Sequence, residues 1–124
     1  PLISPDGVFS WDDCEGHGTH VAGTIGSRSY GVAPGVTLWA ARAFDCKGDG
    51  SLMNVLAGIK WCTEKARQIG GKWIVNMSLG FPKSPPSTDV LDLVVELARA
   101  QGLMFVVSAG NVMPTNSDAC NVSP

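Results

Sequence analysis

Three short, mostly apolar runs separated by amphipathic stretches constrain what this chain can fold into more than anything else in it. They are VTLWAARAF at 36–44, WIVNM at 73–77 and LMFVV at 103–107. Apolar residues at successive rather than alternate positions predict strands buried on both faces. After Ser51, a candidate N-cap, Leu52, Val55, Leu56, Ile59, Cys62 and Ala66 recur at helical spacing until Gly70 and Gly71 end the pattern. That predicts an amphipathic helix with Cys62 on its buried face. A second helical pattern runs from about Thr88 to Gln101, with Val90, Leu91, Val94, Leu97 and Ala98 as its apolar face and Gly102 at its end. Strands alternating with helices call for a parallel sheet with right-handed crossovers and helices on both faces, a doubly wound α/β fold. Ligands in such sheets sit at the carboxyl ends of the strands. The segments DCKGDGS, SLGFP and SAGN, which follow the three runs, are therefore the first places to look for chemistry.

At 124 residues the chain has the length of one domain. The opening PLISPDG has neither the basic start nor the apolar core of a signal peptide, and the closing NVSP completes no helix or strand. The expectation is one domain over 1–124 that is partial, with its N- and C-terminal parts missing. A net charge of −2, with acidic and basic residues interspersed, supplies no basic field for nucleic acid and no polybasic stripe for a membrane surface. No apolar run approaches the roughly 20 residues that span a bilayer. Cys14, Cys46, Cys62 and Cys120 form no C-x-x-C pair and only two histidines accompany them, which disfavours a structural zinc site. Disulfides in an oxidising compartment fit this usage, and four buried thiols in a cytosolic domain are the alternative.

The segment GHGTHVAGTIG at 16–26 sets a glycine on either side of His17, followed by small residues at helical spacing. Backbone can then pack closely around an imidazole while a helix runs tightly through a core. A purely structural histidine would satisfy the same pattern. A metal pair of His17 and His20 is disfavoured, because the helical zinc motif sets its histidines four apart with a glutamate between them, and Gly18 and Thr19 fill the gap here. Taken alone, GDGS is an ordinary turn, and Asn111 after Gly110 is a loop residue that tolerates positive φ.

GHGTHVAGTIG resembles the histidine motif of the subtilisin family of serine peptidases, and is most similar to its proteinase K branch. YGVAPGVTLWAARAF, GDGS, VNMSLG and VVSAGN follow in the family's order, so the resemblance covers nearly the whole chain from Cys14 onward. It implies a subtilisin-like fold and a secreted serine endopeptidase that cuts polypeptides through an acyl-enzyme. It implies no cofactor for the chemistry, allows structural calcium in the full-length enzyme, and implies a propeptide there. By the resemblance His17 is the general base and His20 a structural histidine, while the side-chain amide of Asn111 donates to the oxyanion. Gly48, Asp49, Gly50 and Ser51 resemble one substrate-pairing edge. Ser78, Leu79 and Gly80 resemble the other, which borders the pocket for the residue before the cut, and Ala109 and Gly110 belong to the same cleft. An extended substrate would be held there by strand addition. Some relatives carry cysteines at the places of Cys14 and Cys46, which implies a Cys14–Cys46 disulfide, with Cys62 a buried thiol and the partner of Cys120 lying outside this sequence.

The sequence also departs from the family pattern. The catalytic aspartate belongs in a D-[ST]-G segment well before the histidine, but only sixteen residues precede His17 and neither Asp6-Gly7 nor Asp12-Asp13 matches. No G-T-S-M-A-type serine segment occurs before Pro124, and Ser78 and Ser108 belong to other motifs. The expectation is a fragment that is inactive alone. A pseudoprotease that binds proteins through the same groove is the alternative. Asn76-Met77-Ser78 and Asn121-Val122-Ser123 are glycosylation sequons, the first expected to be inaccessible inside the sheet and the second weakened by the proline after it.

Overall fold

The computed structural model describes residues 12–82, 88–111 and 119–124. The chain divides into two compact units, Pro1–Gly58 and Ile59–Pro124, and the boundary falls inside a helix.

In the first unit, α1 spans His17–Gly26. Gly16 before it sits at φ 96°, a left-handed conformation in which a Cβ would be strained, so glycine is what lets the chain turn into this helix. The sequence suggested a helix threading a core, yet no residue of α1 is fully buried. Its small side chains offer little surface to bury, and its cover comes from the chain that follows. The N–H groups of Val32 and Ala33 donate to the carbonyls of Thr24 and Ile25 at 3.2 and 2.8 Å, folding that chain back on the last helical turn. A Cβ added at Gly26 would come within 3.1 Å of Leu38 Cδ1, which marks how closely the next segment approaches.

The apolar run at 36–44 is not the expected buried strand. Its one ladder contact is an isolated antiparallel bridge between Phe44 and Gly50, and Val36, Leu38 and Trp39 are 47, 48 and 50 % exposed. A strand exists only where its backbone groups meet those of a neighbour, and among the described residues the run has no such partner beyond that one bridge. Apolar composition measures a demand for burial and not the presence of a partner.

Helix α2, Leu52–Ile69, passes from the first unit into the second. Ser51 Oγ accepts from Asn54 N at 3.2 Å, the expected cap, and Gly70 N closes the far end on the carbonyl of Ala66 at 2.8 Å. Val55 and Ile59, one turn apart, are its most deeply buried side chains.

The second unit holds β1 (Trp73–Met77), β2 (Phe81–Pro82), α3 (Thr88–Ala100), β3 (Leu103–Val107) and β4 (Val122–Ser123). β1 and β3 pair in parallel, from Trp73 opposite Leu103 to Met77 opposite Val107, with α3 as the connection that parallel pairing requires. Alternation along the ladder puts Trp73, Val75, Met77, Leu103 and Phe105 on a covered face, and Ile74, Asn76, Met104 and Val106 on an exposed one. The sequon residue Asn76 is thus exposed, contrary to expectation, because it falls on the open face. On α3 the buried stripe is Leu91, Val95 and Ala98, while Val90 and Leu97 are 45 and 56 % exposed. The apolar residues of α3 wrap more than half its circumference, so periodicity left open which stripe turns inward. Burying a side chain such as Leu91, at 0 % exposure, contributes roughly 1.5–3 kcal/mol. β2 and β4 form a short antiparallel pair, with Phe81 opposite Ser123 and Pro82 opposite Val122.

Candidate active site

The candidate residues fall into two groups, one in each unit. The first is built around the start of α1. A helix leaves its first N–H groups without partners, and carboxylates are the acceptors its positive end favours. Asp13 supplies two of them, with Oδ1 accepting from Gly16 N at 2.9 Å and Oδ2 from Thr19 N at 2.6 Å. Glu15 Oε2 accepts from the N–H of His17 itself at 2.8 Å. The N–H of Gly16, and the hydroxyl and N–H of Thr19, hold the Asp13 carboxyl at about 2, below its ordinary 3.8. His17 and His20 are both exposed.

A disulfide joins Cys14 to Cys46 across 32 residues, as the family resemblance implied. It ties the chain just before His17 to the turn that holds Gly48, Asp49 and Gly50. That turn closes on Asp45, whose N–H donates to the carbonyl of Asp49 at 2.8 Å, and whose Oδ1 accepts from Lys47 N and Asp49 N at 2.8 and 3.0 Å. A Cβ at Gly48 would lie 3.8 Å from Glu15, so the turn rests against the segment that caps α1. Arg42 adds a further tie. Its Nε donates to the carbonyl of Phe44 at 3.0 Å, and its Nη2 lies 3.4 and 3.6 Å from the sulfurs of Cys14 and Cys46. Ser51 serves as the cap of α2. Cys62 keeps its thiol, whose pKa is raised by burial.

The second group collects at the carboxyl ends of β1 and β3, where an open parallel sheet exposes its loops. Ser108 N donates to the carbonyl of Met77 at 3.1 Å and Ser108 Oγ to that of Leu79 at 3.0 Å, binding the two loops together. Ser78 Oγ meets Asn76 Nδ2 at 2.9 Å. Ala109, Gly110 and Asn111 follow on an exposed stretch, four residues of chain carrying Asn111 beyond the end of β3.

Val122 is the residue the sequence did not single out. A Cβ at Gly80 would lie 2.6 Å from Val122 Cγ1, and one at Gly110 would lie 3.2 Å from Val122 Cγ2. Both glycines are therefore spaces into which one valine packs. Asp13 was also missed as a cap, although an aspartate shortly before a helical pattern is a legible signal. Nothing local in the sequence marks Arg42 or Val122, because their partners are distant along the chain. Among the described residues no group of three or more His, Cys, Asp or Glu side chains is placed to hold a metal ion.

Alternating helix and parallel strand, with functional loops at the strand ends, define this as part of a subtilisin-like α/β fold. Residues 5–123 match the family model described as Subtilase family, Peptidase_S8, and the chain belongs to that family. It is 48 % identical over 122 residues to an extracellular serine proteinase of Thermus sp. (strain Rt41A), which takes in 98 % of this chain and 27 % of that protein. Against alkaline serine exoprotease A of Vibrio alginolyticus it is 46 % identical over 112 residues, 90 % of this chain and 19 % of the relative. The crystal structure of a cold adapted subtilisin-like serine proteinase superposes with a TM-score of 0.82 at 42 % identity, covering 96 % of this chain and 40 % of the other. The chain thus spans about a quarter of the length of the curated relatives it matches.

Proposed function

We propose that this chain is the central part of a secreted serine endopeptidase that hydrolyses polypeptides through an Asp-His-Ser triad, the aspartate and serine being supplied by flanking parts of the same domain. The observation that carries this reading is the family match over 5–123, within which His17 opens a helix whose N–H groups are capped by Asp13 and Glu15. In the proposed reaction the serine oxygen bonds to the substrate carbonyl carbon while its proton passes to the His17 imidazole. The carbonyl oxygen becomes negative and accepts from the Asn111 amide. Collapse breaks the C–N bond, and His17 gives its proton to the leaving amine. Water then repeats the sequence on the acyl-enzyme and releases the acid. By the family resemblance Gly48, Asp49, Gly50 and Ser51 form one substrate-pairing edge and Ser78, Leu79, Gly80, Ala109 and Gly110 another, and each would hold an extended substrate as an added strand. A propeptide in the full-length protein and secretion belong to the same reading. The extracellular naming of the Thermus relative supports the second of these.

The test uses the full-length enzyme. A fluorophosphonate probe labels its serine, and His17→Ala abolishes labelling. Asn111→Ala lowers kcat strongly with KM within a few-fold, because its amide is worth most once the oxygen carries charge. Losing such a donor in subtilisin itself costs roughly 10²–10³ in turnover. A raised KM with kcat unchanged would withdraw the oxyanion role from Asn111. A full-length protein that never labels would favour a binding-only relative.

A further inference from the structure

Ser123 is 0 % exposed, the one buried polar side chain among the described residues, and its hydroxyl donates to Asp92 Oδ1 on α3. A hydroxyl taken out of water needs such an acceptor, and an acidic oxygen is a strong one. Ser123 stands opposite Phe81 in the β2–β4 pair, directly after Val122. Val122 in turn packs over Gly80 and Gly110, and Gly80 follows Leu79, the residue whose carbonyl is held by Ser108. One helix side chain therefore fixes the segment that spaces two loop walls. A shift of β4 by even a few tenths of an ångström would change the gap at Gly80, where the fit is already too close for any side chain.

We propose that Asp92 is a positioning residue which, through Ser123, seats Val122 between the Gly80 and Gly110 walls and so sets which substrate side chain fits before the cut. The inference rests on the peptidase reading above, which gives those walls to the substrate. It requires nothing of Asp92 in the chemistry itself, since the residue acts through Ser123.

The experiment compares full-length enzyme with Ser123→Ala, Asp92→Asn and Asp92→Ala, using two peptide substrates that differ only in a small or a large apolar side chain before the cut. Concentrations are set by active-site titration, so a loss of folded enzyme cancels in the ratio of the two kcat/KM values. Ser123→Ala and Asp92→Ala are expected to change that ratio about tenfold, mainly through KM. Asp92→Asn keeps an acceptor oxygen and is expected to leave it within about twofold of the parent. A ratio unchanged in Ser123→Ala overturns the proposal, even if Asp92→Ala does not fold. A parent enzyme that cleaves neither peptide and takes no serine probe instead overturns the peptidase reading on which the proposal rests.

Discussion

Asp13 shows how one side chain can govern another without touching the reaction. Its two oxygens hold the first turn of α1, and the helix begins at His17, so the direction in which the imidazole leaves the backbone depends on that cap. The carboxyl is held at about 2 against an ordinary 3.8, chiefly by the N–H of Gly16 and then by Thr19. A group whose pKa is lowered on folding adds stability that is complete above the unfolded value and lost as pH falls through the folded one. The window here runs from roughly pH 4 down to pH 2. Asp13→Ala should cost about 1 kcal/mol near pH 6, the usual scale when a capping side chain is truncated, and the gap to the parent should narrow as pH falls toward 2. Thermal unfolding of the inhibitor-blocked full-length enzyme across that range is the measurement, and a gap independent of pH would remove the cap from this role. The residue was visible in the sequence only as an aspartate that fails to match the triad segment. Its actual work is readable once the helix start is fixed.

The elements were legible to different degrees, for reasons that lie in what each one needs. α2, α3, β1 and β3 declare themselves through periodicity and glycine stops, and β1 and β3 pair in parallel as an alternating pattern demands. The run at 36–44 has the same composition but, among the described residues, no ladder partner beyond the Phe44–Gly50 bridge, and a strand cannot be read from one side of a ladder. The stripe of α3 that turns inward was fixed by packing and not by its own pattern. Cys14–Cys46 was legible by resemblance alone, since spacing does not specify connectivity. That bridge joins the capped start of α1 to the turn closed on Asp45. Closing a loop of 32 residues is worth on the order of 3–4 kcal/mol in the chain-entropy model. Replacing both cysteines by serine should lower the melting temperature accordingly, whereas Cys62, its thiol pKa raised by burial, should resist alkylation until the protein unfolds. Peptide mapping without reduction checks the pairing, and a Cys62–Cys120 bridge would overturn it.

For the molecule as a whole, the residues of this sequence set the terms on which it can act. Acyl transfer needs a serine whose hydroxyl can hand its proton to an oriented imidazole, and removal of one member leaves only the weak catalysis of the remaining parts. The two serines at the carboxyl ends of β1 and β3 are both held in hydrogen bonds. Ser78 Oγ accepts from Asn76 Nδ2, and Ser108 Oγ donates to the carbonyl of Leu79, a bond that joins the two loops. Spending the proton of Ser108 would loosen the loops it binds. The open face of the β1–β3 ladder bears on the same question, because Ile74, Met104 and Val106 are 65, 60 and 50 % exposed. Apolar side chains at successive positions of one ladder face call for further cover. A polypeptide of residues 1–124 alone is accordingly expected to bind a hydrophobic dye and to take no fluorophosphonate label. Extending it through the D-[ST]-G and G-T-S-M-A-type segments should suppress dye binding and restore labelling together, since one added layer would both cover the sheet and complete the triad. Covalent label at Ser78 or Ser108 in the 124-residue chain would show that the site had been assembled wrongly from the start, and the assignment of His17 to a distant serine would fall with it.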